Sequence, residues 1–259
     1  SSVIQVAEEL LRCMTGESGY KVIVVKSTVP VGTVELVRTI LCREKREGQD
    51  FDIVSNPEFL REGKGLQDFF NPDRIVIGTS SERAGRLIEE LHGPVIRGEV
   101  DLQGLNGVDN PTARSHGNIP VVETTIASAQ MIKYASNAFL ATRVSFVNEI
   151  AGLCERVGAD IKDTVLGMGY DSRIGHAYLE AGLGFGGPCL EKDLRALIKI
   201  AETNSYEPEL MRAVLQRNDR QIEEVIVKLK NLRGNLLYKK SVAVFGLTFK
   251  AGTNDLRNS

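Results

Sequence analysis

Apolar and polar positions follow two periods along this chain. Lys21–Lys26 (KVIVVK) is a β-branched apolar run, and Phe51–Ser55 and Arg74–Thr79 (RIVIGT) are of the same kind. Short branched runs of this sort predict buried strands. Around them apolar residues return every three or four positions. Ser1–Arg12 reads as the middle of an amphipathic helix, and Glu82–Leu91 as a helix entered through Ser80 and Ser81. Val34, Val37 and Leu41 form a stripe after the segment STVPVG (27–32), where Ser27 or Thr28 suits a helix cap and Pro30 a first turn. Strands alternating with helices predict βαβ units and a mostly parallel sheet.

The period then changes. Gly93–Pro120 fills with Gly, Asn, Pro and polar residues and reads as a long surface loop. From about Glu123 to Val157 the pattern is helical throughout, with Gly158 suited to a left-handed C-cap and Asp160 to the next N-cap. A helix of that length typically joins domains or lines a subunit interface. Helical stretches follow at about Glu191–Thr203 and Pro208–Leu232, and Ser241–Gly246 (SVAVFG) reads as one more buried strand. The fold class expected is α/β, in three parts: half of an α/β domain over 1–120, a helical middle over 121–232 and the opening of a second α/β domain over 233–259. Both ends read as the interior of a domain, so an internal fragment of a longer protein is expected. A complete domain with an edge strand is the alternative.

Composition narrows the partners. The 259 residues carry 32 Lys and Arg against 34 Asp and Glu, a net charge of −2. That balance argues against nucleic acid and acidic membranes, and no apolar run is long enough to span a bilayer. No signal peptide is visible. Cys13, Cys42, Cys154 and Cys189 show no metal-ligand pairing, so no metal site is expected and a reducing cytoplasm is the expected location.

Candidate chemistry gathers in the second half. Gly182–Gly187 (GLGFGG) formally matches G-x-G-x-x-G, yet no β-branched run precedes it, so a flexible loop that lets backbone approach a ligand is the better reading. Cys189 follows, at the start of a helix and beside Lys192 and Asp193, a setting that favours thiolate. The other three cysteines read as small buried hydrophobes. Lys133 and Asn137 are one helical turn apart and offer a cation and an amide to an oxyanion, or else a solvated helix face. Asn56–Gly63 (NPEFLREG) follows a strand end, where α/β sheets present ligand-binding groups. His92, His116 and His176 build no Cys–His pair from spacing, which disfavours a cysteine acyl-transfer enzyme.

VVKSTVPVGT (24–33), SNPEFLREG (55–63), NPDRIVIG (71–78), IKYASNAFLATRVSFVNEIA (132–151), DSRIGHAYLEAGLGFGGPCLEKD (171–193) and VAVFGLTFKAGTNDLR (242–257) together resemble the UDP-glucose/GDP-mannose dehydrogenase family. The resemblance implies two Rossmann-like domains joined by a long central helix that forms a homodimer interface. On that pattern 1–120 would be the C-terminal half of the NAD-binding Rossmann-like domain and 233–259 the start of the nucleotide-sugar domain. It also implies NAD-dependent oxidation of a nucleotide-sugar primary alcohol to a carboxylate, with UDP-glucose as leading substrate. Another nucleotide sugar, or for this chain alone a non-catalytic dimerisation and binding module, are the alternatives. By matching position, Cys189 would form the thiohemiacetal and thioester, Lys133, Asn137 and Asp193 would serve the reacting oxygen, and Glu58 with Thr28 the hydrolysis. Cofactor contacts would fall on Ser27, Thr28, Val29, Glu62, Lys192 and Arg257. Substrate contacts would fall on Glu58, Phe59, Leu60, Arg61, Glu62, Lys133, Asn137, Arg173, Tyr178, Glu180, Gly182, Gly184, Phe185, Gly186, Phe249 and Lys250. Five features depart from the family: its N-terminal nucleotide fingerprint and most of its C-terminal nucleotide domain are missing, Pro188 replaces a serine, Glu191 replaces a common proline, and the Gly93–Pro120 loop is longer than usual.

Overall fold

The computed structural model describes residues 2–14, 19–100, 119–232, 234 and 237–259. They divide into two compact units, Ser1–Lys133 and Tyr134–Ser259.

The first unit contains α1 (Ser2–Cys13), β1 (Lys21–Val25), α2 (Thr33–Leu41), β2 (Phe51–Ser55), α3 (Gly65–Phe70), β3 (Ile75–Gly78), α4 (Glu82–Ile96), β4 (Val121–Thr124) and the opening of α5 (Ile126–Val157). The strands lie in the order β1-β2-β3-β4. β1 and β2 pair in parallel from Lys21↔Phe51 to Val25↔Ser55, and β3 and β4 from Ile75↔Val121 to Gly78↔Thr124. The join between the two pairs is antiparallel, at Ser55↔Gly78. Its sense is repeated by side chains: Thr79 Oγ1 donates to the Ile53 carbonyl and Asn56 Nδ2 to that of Val76. The reversal runs the start of β3 alongside the segment that follows β2.

β2 is buried on both faces, which is why its apolar signal does not alternate cleanly. Phe51 and Ile53 pack with Val34, Val37 and Leu41 of α2 and Ala7 and Leu11 of α1. Val54 faces the other way, into Ile75, Ile77 and Ala84 and Ile88 of α4. Ser81 caps α4 by accepting from the Ala84 amide.

Four boundaries depart from the sequence reading. Ser27 and Thr28 do not cap α2. Gly32, at φ +96°, turns the chain in the left-handed region and the helix begins only at Thr33, which leaves the two hydroxyl residues at the strand end. α4 continues through Gly93 and Pro94 to Ile96, because buried Val95 holds its last turn against the core; the expected loop therefore starts later, and its residues 101–118 lie outside the described ones. Val121–Thr124 is a strand and not the opening of the long helix; it is an edge strand, half-exposed, with little apolar signal. Ser241–Gly246 forms no strand. Among the described residues none pairs with it, and Val244 and Phe245 stand 76 % and 96 % exposed.

In the second unit α5 continues to Val157, a 32-residue helix of about 48 Å at 1.5 Å per residue. Gly158 stops it at φ +77°, and Asp160 caps α6 (Ile161–Gly169) by accepting from the Lys162 amide. α7 (Leu190–Thr203) and α8 (Glu209–Leu232) complete the unit. Its core joins Tyr134, Ala138 and Ala141 of α5 to Leu194, Leu197 and Ile198 of α7 and Val214 and Leu215 of α8.

Gly78 sets how closely α5 approaches the sheet. A Cβ there would lie 2.5 Å from the Ala129 Cβ and 2.8 Å from the Thr125 carbonyl oxygen. Gly78→Ala is therefore expected to destabilise the first unit by about 1–3 kcal/mol, the usual cost of overpacking. A urea midpoint unchanged from the parent would contradict this contact.

Candidate active site

The first unit presents its polar residues at the carboxyl ends of β1 and β2. Ser27 is exposed and Thr28 half-buried just beyond β1, while the Val29 side chain is buried in the core and offers a ligand only its backbone. Beyond β2, the antiparallel join brings Arg74 over the Phe59 ring, 3.6 Å from its centroid. Lys133, on α5 and only 7 % exposed, has its Nζ 3.4 Å from Glu58 Oε1 and 5.3 Å from the same ring. A buried ammonium needs such partners. The other Glu58 oxygen accepts from the Leu60 amide at 2.7 Å, which fixes the carboxylate's direction.

Leu60 is exposed, and half-buried Glu62 lies on the same turn. Arg61 is committed to Asp68, through its own amide at 2.7 Å and its guanidinium. Burial pushes the Asp68 carboxyl up, but the Arg61 hydrogen bonds and charge outweigh it and hold the group below the usual range. The contacts behind this turn were not visible in the sequence. Asn56 Oδ1 receives Lys26 Nζ at 3.1 Å and lies 3.2 Å from His92 Nε2.

In the second unit the thiol of Cys189 is exposed at the amino end of α7, where its carbonyl accepts from the Asp193 amide. Asp193 is 1 % exposed. Its carboxylate accepts from Asn137 Nδ2 at 2.6 Å and pairs with Lys192 Nζ at 2.8 Å. Burial, then the charge of Asp193, raises the Tyr134 phenol to about 12. An amide nitrogen carries two N–H groups, so Asn137 keeps a second donor while the first binds Asp193. This buried arrangement overturns the solvated-face reading of Lys133 and Asn137: both side chains are at least nine-tenths buried and each has a carboxylate partner.

The glycine loop is held by amides. Asn148 Oδ1 accepts from the Gly182 amide, Gln221 Nε2 donates to the Gly182 carbonyl, and Asn218 binds both the amide and the carbonyl of Phe185. Arg217 ties Asn148 to Gln221 from behind. None of these holders was picked out from the sequence, although three polar residues within one turn of α8 were the available signal. No strand precedes the loop, so the dinucleotide-fingerprint reading falls. Its glycines do other work: Gly184 is at φ +95°, and a Cβ on Gly187 would lie 2.7 Å from the Phe249 ring. Gly186 has the Asn258 backbone against it in the same way. Lys250 stands 5.5 Å from the Phe249 centroid, and Arg257 is forked onto Asp255. Tyr178 and Glu180 are exposed, with Tyr178 at φ +58° and buried Leu179 between them as anchor. Arg173 points outward and pairs with Asp171. Among the described residues no group of His, Cys, Asp and Glu could hold a metal ion, and no helix is long and apolar enough to cross a membrane.

Two family profiles match the sequence. The NAD binding domain of the UDP-glucose/GDP-mannose dehydrogenase family matches residues 1–96, and the central domain of that family matches residues 127–220. UDP-glucose 6-dehydrogenase TuaD of Bacillus subtilis (strain 168) is 46 % identical over 242 residues, 93 % of this chain and 48 % of the relative. UDP-glucose 6-dehydrogenase of Pseudomonas aeruginosa is 40 % identical, covering 100 % of this chain and 53 % of the relative. Among solved structures, a UDP-glucose dehydrogenase from the hyperthermophilic archaeon Pyrobaculum islandicum superposes with a TM-score of 0.85 at 38 % identity, over 99 % of this chain and 54 % of that one. The chain spans about half the length of the curated relatives it matches.

Asn218→Ala removes two hydrogen bonds to the glycine loop at once. Amide hydrogen exchange at Phe185 should quicken by roughly ten- to a hundredfold, since a lost buried hydrogen bond costs about 1–3 kcal/mol. Exchange equal to the parent's would mean that the loop is held elsewhere.

Proposed function

The chain belongs to the UDP-glucose/GDP-mannose dehydrogenase family, and from that premise we propose that its protein oxidises the primary alcohol of UDP-glucose to the carboxylate of UDP-glucuronate. One observation carries the reading: the exposed Cys189 thiol opens the helix whose next turn buries Asp193 between Asn137 and Lys192. Relatives named UDP-glucose 6-dehydrogenase support this choice of sugar.

Each residue then has a task suited to its surroundings. A Cys189 thiolate adds to the aldehyde carbon, forming a C–S bond and leaving the former carbonyl oxygen with negative charge. The second N–H of Asn137 and the buried Lys133 ammonium are the donors for that oxygen. Asp193 orients the Asn137 amide by accepting one of its N–H groups. At the thioester stage Glu58 accepts a proton from the attacking water, the new C–O bond forms, and the C–S bond breaks to return the thiol. Glu58 suits this task because its direction is fixed while its side chain remains a third exposed.

The fit for NAD is partial but coherent. Exposed Ser27 and half-buried Thr28 stand at the carboxyl ends of parallel strands, where doubly wound sheets bind dinucleotides. Glu62, the Val29 backbone, Lys192 and Arg257 are the further residues we assign to it. NAD, when bound there, supplies the hydride acceptor for the two oxidations. The glycine loop, Tyr178, Glu180, Phe249 and Lys250 are assigned to the nucleotide sugar, with Arg173 reaching outward to a neighbouring subunit's substrate. A homodimer through α5 is supported by Phe139, Phe146 and Leu153, exposed at seven-residue intervals along one side of that helix.

The test is a panel of UDP-glucose, UDP-N-acetylglucosamine, UDP-N-acetylmannosamine and GDP-mannose with NAD and the full-length protein. About two NADH per UDP-glucose are expected, as follows from a four-electron oxidation in two-electron steps. Two per another sugar would keep the chemistry and move the substrate. No NADH from any would remove the oxidation. Cys189→Ser should abolish completed oxidation while Cys13→Ser stays near the parent, and Lys133→Ala should lower kcat by at least about a hundredfold, the scale of a lost oxyanion donor. An effect of Lys133→Ala on KM alone would make it a binding residue.

A further inference from the structure

A second polar cluster lies at the same strand ends, and the steps above do not use it. The Asn56 side chain is 3 % exposed, and its Nδ2 donates to the Val76 carbonyl at 2.8 Å. That bond fixes which way the amide faces. Oδ1 is turned toward Lys26 Nζ at 3.1 Å and His92 Nε2 at 3.2 Å. A carbonyl oxygen only accepts, so both nitrogens donate and His92 carries its proton on Nε2. Burial, then the charge of Lys26, holds the imidazole below its ordinary range, which selects the neutral ring at neutral pH. Lys26 keeps its stem in solvent and its ammonium on the buried amide. Burial pulls that ammonium down, and the charge of Glu58 opposes the pull, so Lys26 and Glu58 share one field. Three elements therefore meet at Asn56: the residue after β1, the residue after β2 and the last turns of α4.

We propose that Asn56 and His92 are positioning residues that anchor the Lys26 ammonium at the strand ends within the field of Glu58, supplying that carboxylate with a second cation that occupies neither of its oxygens. The proposal rests on the role given to Glu58 above. A lysine bonded directly to Glu58 would spend a lone pair needed for proton transfer from water. Anchored on an uncharged amide, Lys26 acts through its charge alone. One Glu58 oxygen is already held by the Leu60 amide and the other lies beside Lys133, so a cation that stands off leaves the remaining lone pairs to water. The neutral ring of His92 completes the anchor without adding like charge next to Lys26. Protonating it would place two cations on one carbonyl oxygen. The charged groups felt by the cluster are Lys26 and Glu58, and Lys133 pairs with the same carboxylate.

The test compares Lys26→Met, His92→Leu and His92→Gln in the full-length protein from about pH 5 to 8, with a second readout that needs no activity. Lys26→Met and His92→Leu should lower kcat by roughly ten- to a hundredfold with KM for the nucleotide sugar within about twofold, the pattern of a misplaced group acting at the chemical step. His92→Gln keeps an N–H donor at the same reach and cannot titrate. It should restore most of kcat and lose less of it at the acid end than the parent does. Independently, NMR titration should show the His92 ring ionising at higher pH in Lys26→Met, because one of its two depressing causes is gone. A His92 titration unmoved by Lys26→Met overturns the proposal. So does a His92→Leu protein with the parent's kcat and pH profile, or one changed only in KM. A parent protein that oxidises no nucleotide sugar overturns instead the reading of Glu58 beneath it, and the titration tells the two failures apart.

Discussion

A lysine ammonium taken out of water has to be met by negative charge or polarizable electrons, or it gives up its proton. Lys133 is met by both, the Glu58 carboxylate and the face of Phe59, and much of the first unit can be read as the means of bringing them together. The antiparallel join after β2 carries the segment holding Glu58 and Phe59 along the start of β3, and Arg74 then pins the ring from its other contact. Lys133 arrives from α5, whose path is set one turn earlier, where Ala129 lies against the bare Cα of Gly78. Strand reversal, missing side chain and helix start thus act on one pair of charged atoms.

The second unit solves a similar problem with the sign reversed. Asp193 is more deeply buried than Lys133, and its partners are one neutral donor and one cation. The neutral donor matters chemically. An amide that gives one N–H to a buried carboxylate is held in a single orientation, and its second N–H points wherever the helix aims it. Asn137 is therefore a donor whose direction is fixed before any ligand arrives, the condition under which a hydrogen bond stabilises developing charge without reorganisation. Tyr134, raised to about 12 by burial and by Asp193, stays protonated and adds no competing charge.

How far the sequence could be read follows from the kind of signal each feature leaves. Strands β1, β2 and β3 were legible because branched apolar runs are local, and so were α5, Gly158 and the Asp160 cap. The α2 start was misread because Ser27, Thr28 and Pro30 satisfy capping rules, while the decisive residue was Gly32 in the left-handed region. The edge strand β4 hid because half its positions face water, and SVAVFG misled because an apolar run states only that burial is wanted, not that a partner strand is present. Within the site, Cys189, Lys133, Asn137 and Glu58 were named from spacing and resemblance. Asn56 was named only as the first residue of the Asn56–Gly63 segment, and His92, Arg74, Asn148, Asn218 and Gln221 were given no role in the site, since each acts across a separation in sequence that no local period encodes. Lys26 and Asn56 are 30 residues apart, and Asn148 and Gly182 are 34 apart.

These unforeseen residues share a chemical character that is itself informative. Asn56, Asn148, Asn218 and Gln221 are neutral amides, and each bonds in two directions or from two elements. A charged residue in the same positions would hold backbone or ammonium more tightly, at the cost of adding a field to a site whose work depends on a few placed charges. An amide fixes geometry and leaves the field almost unchanged. The charged pairs Lys133 with Glu58 and Asp193 with Lys192 then keep their own local fields. Neutral amides thus do much of the holding in both units, beside charged ties such as Arg61 to Asp68 and Arg217 to Glu224. A search for charged motifs passes over the amides.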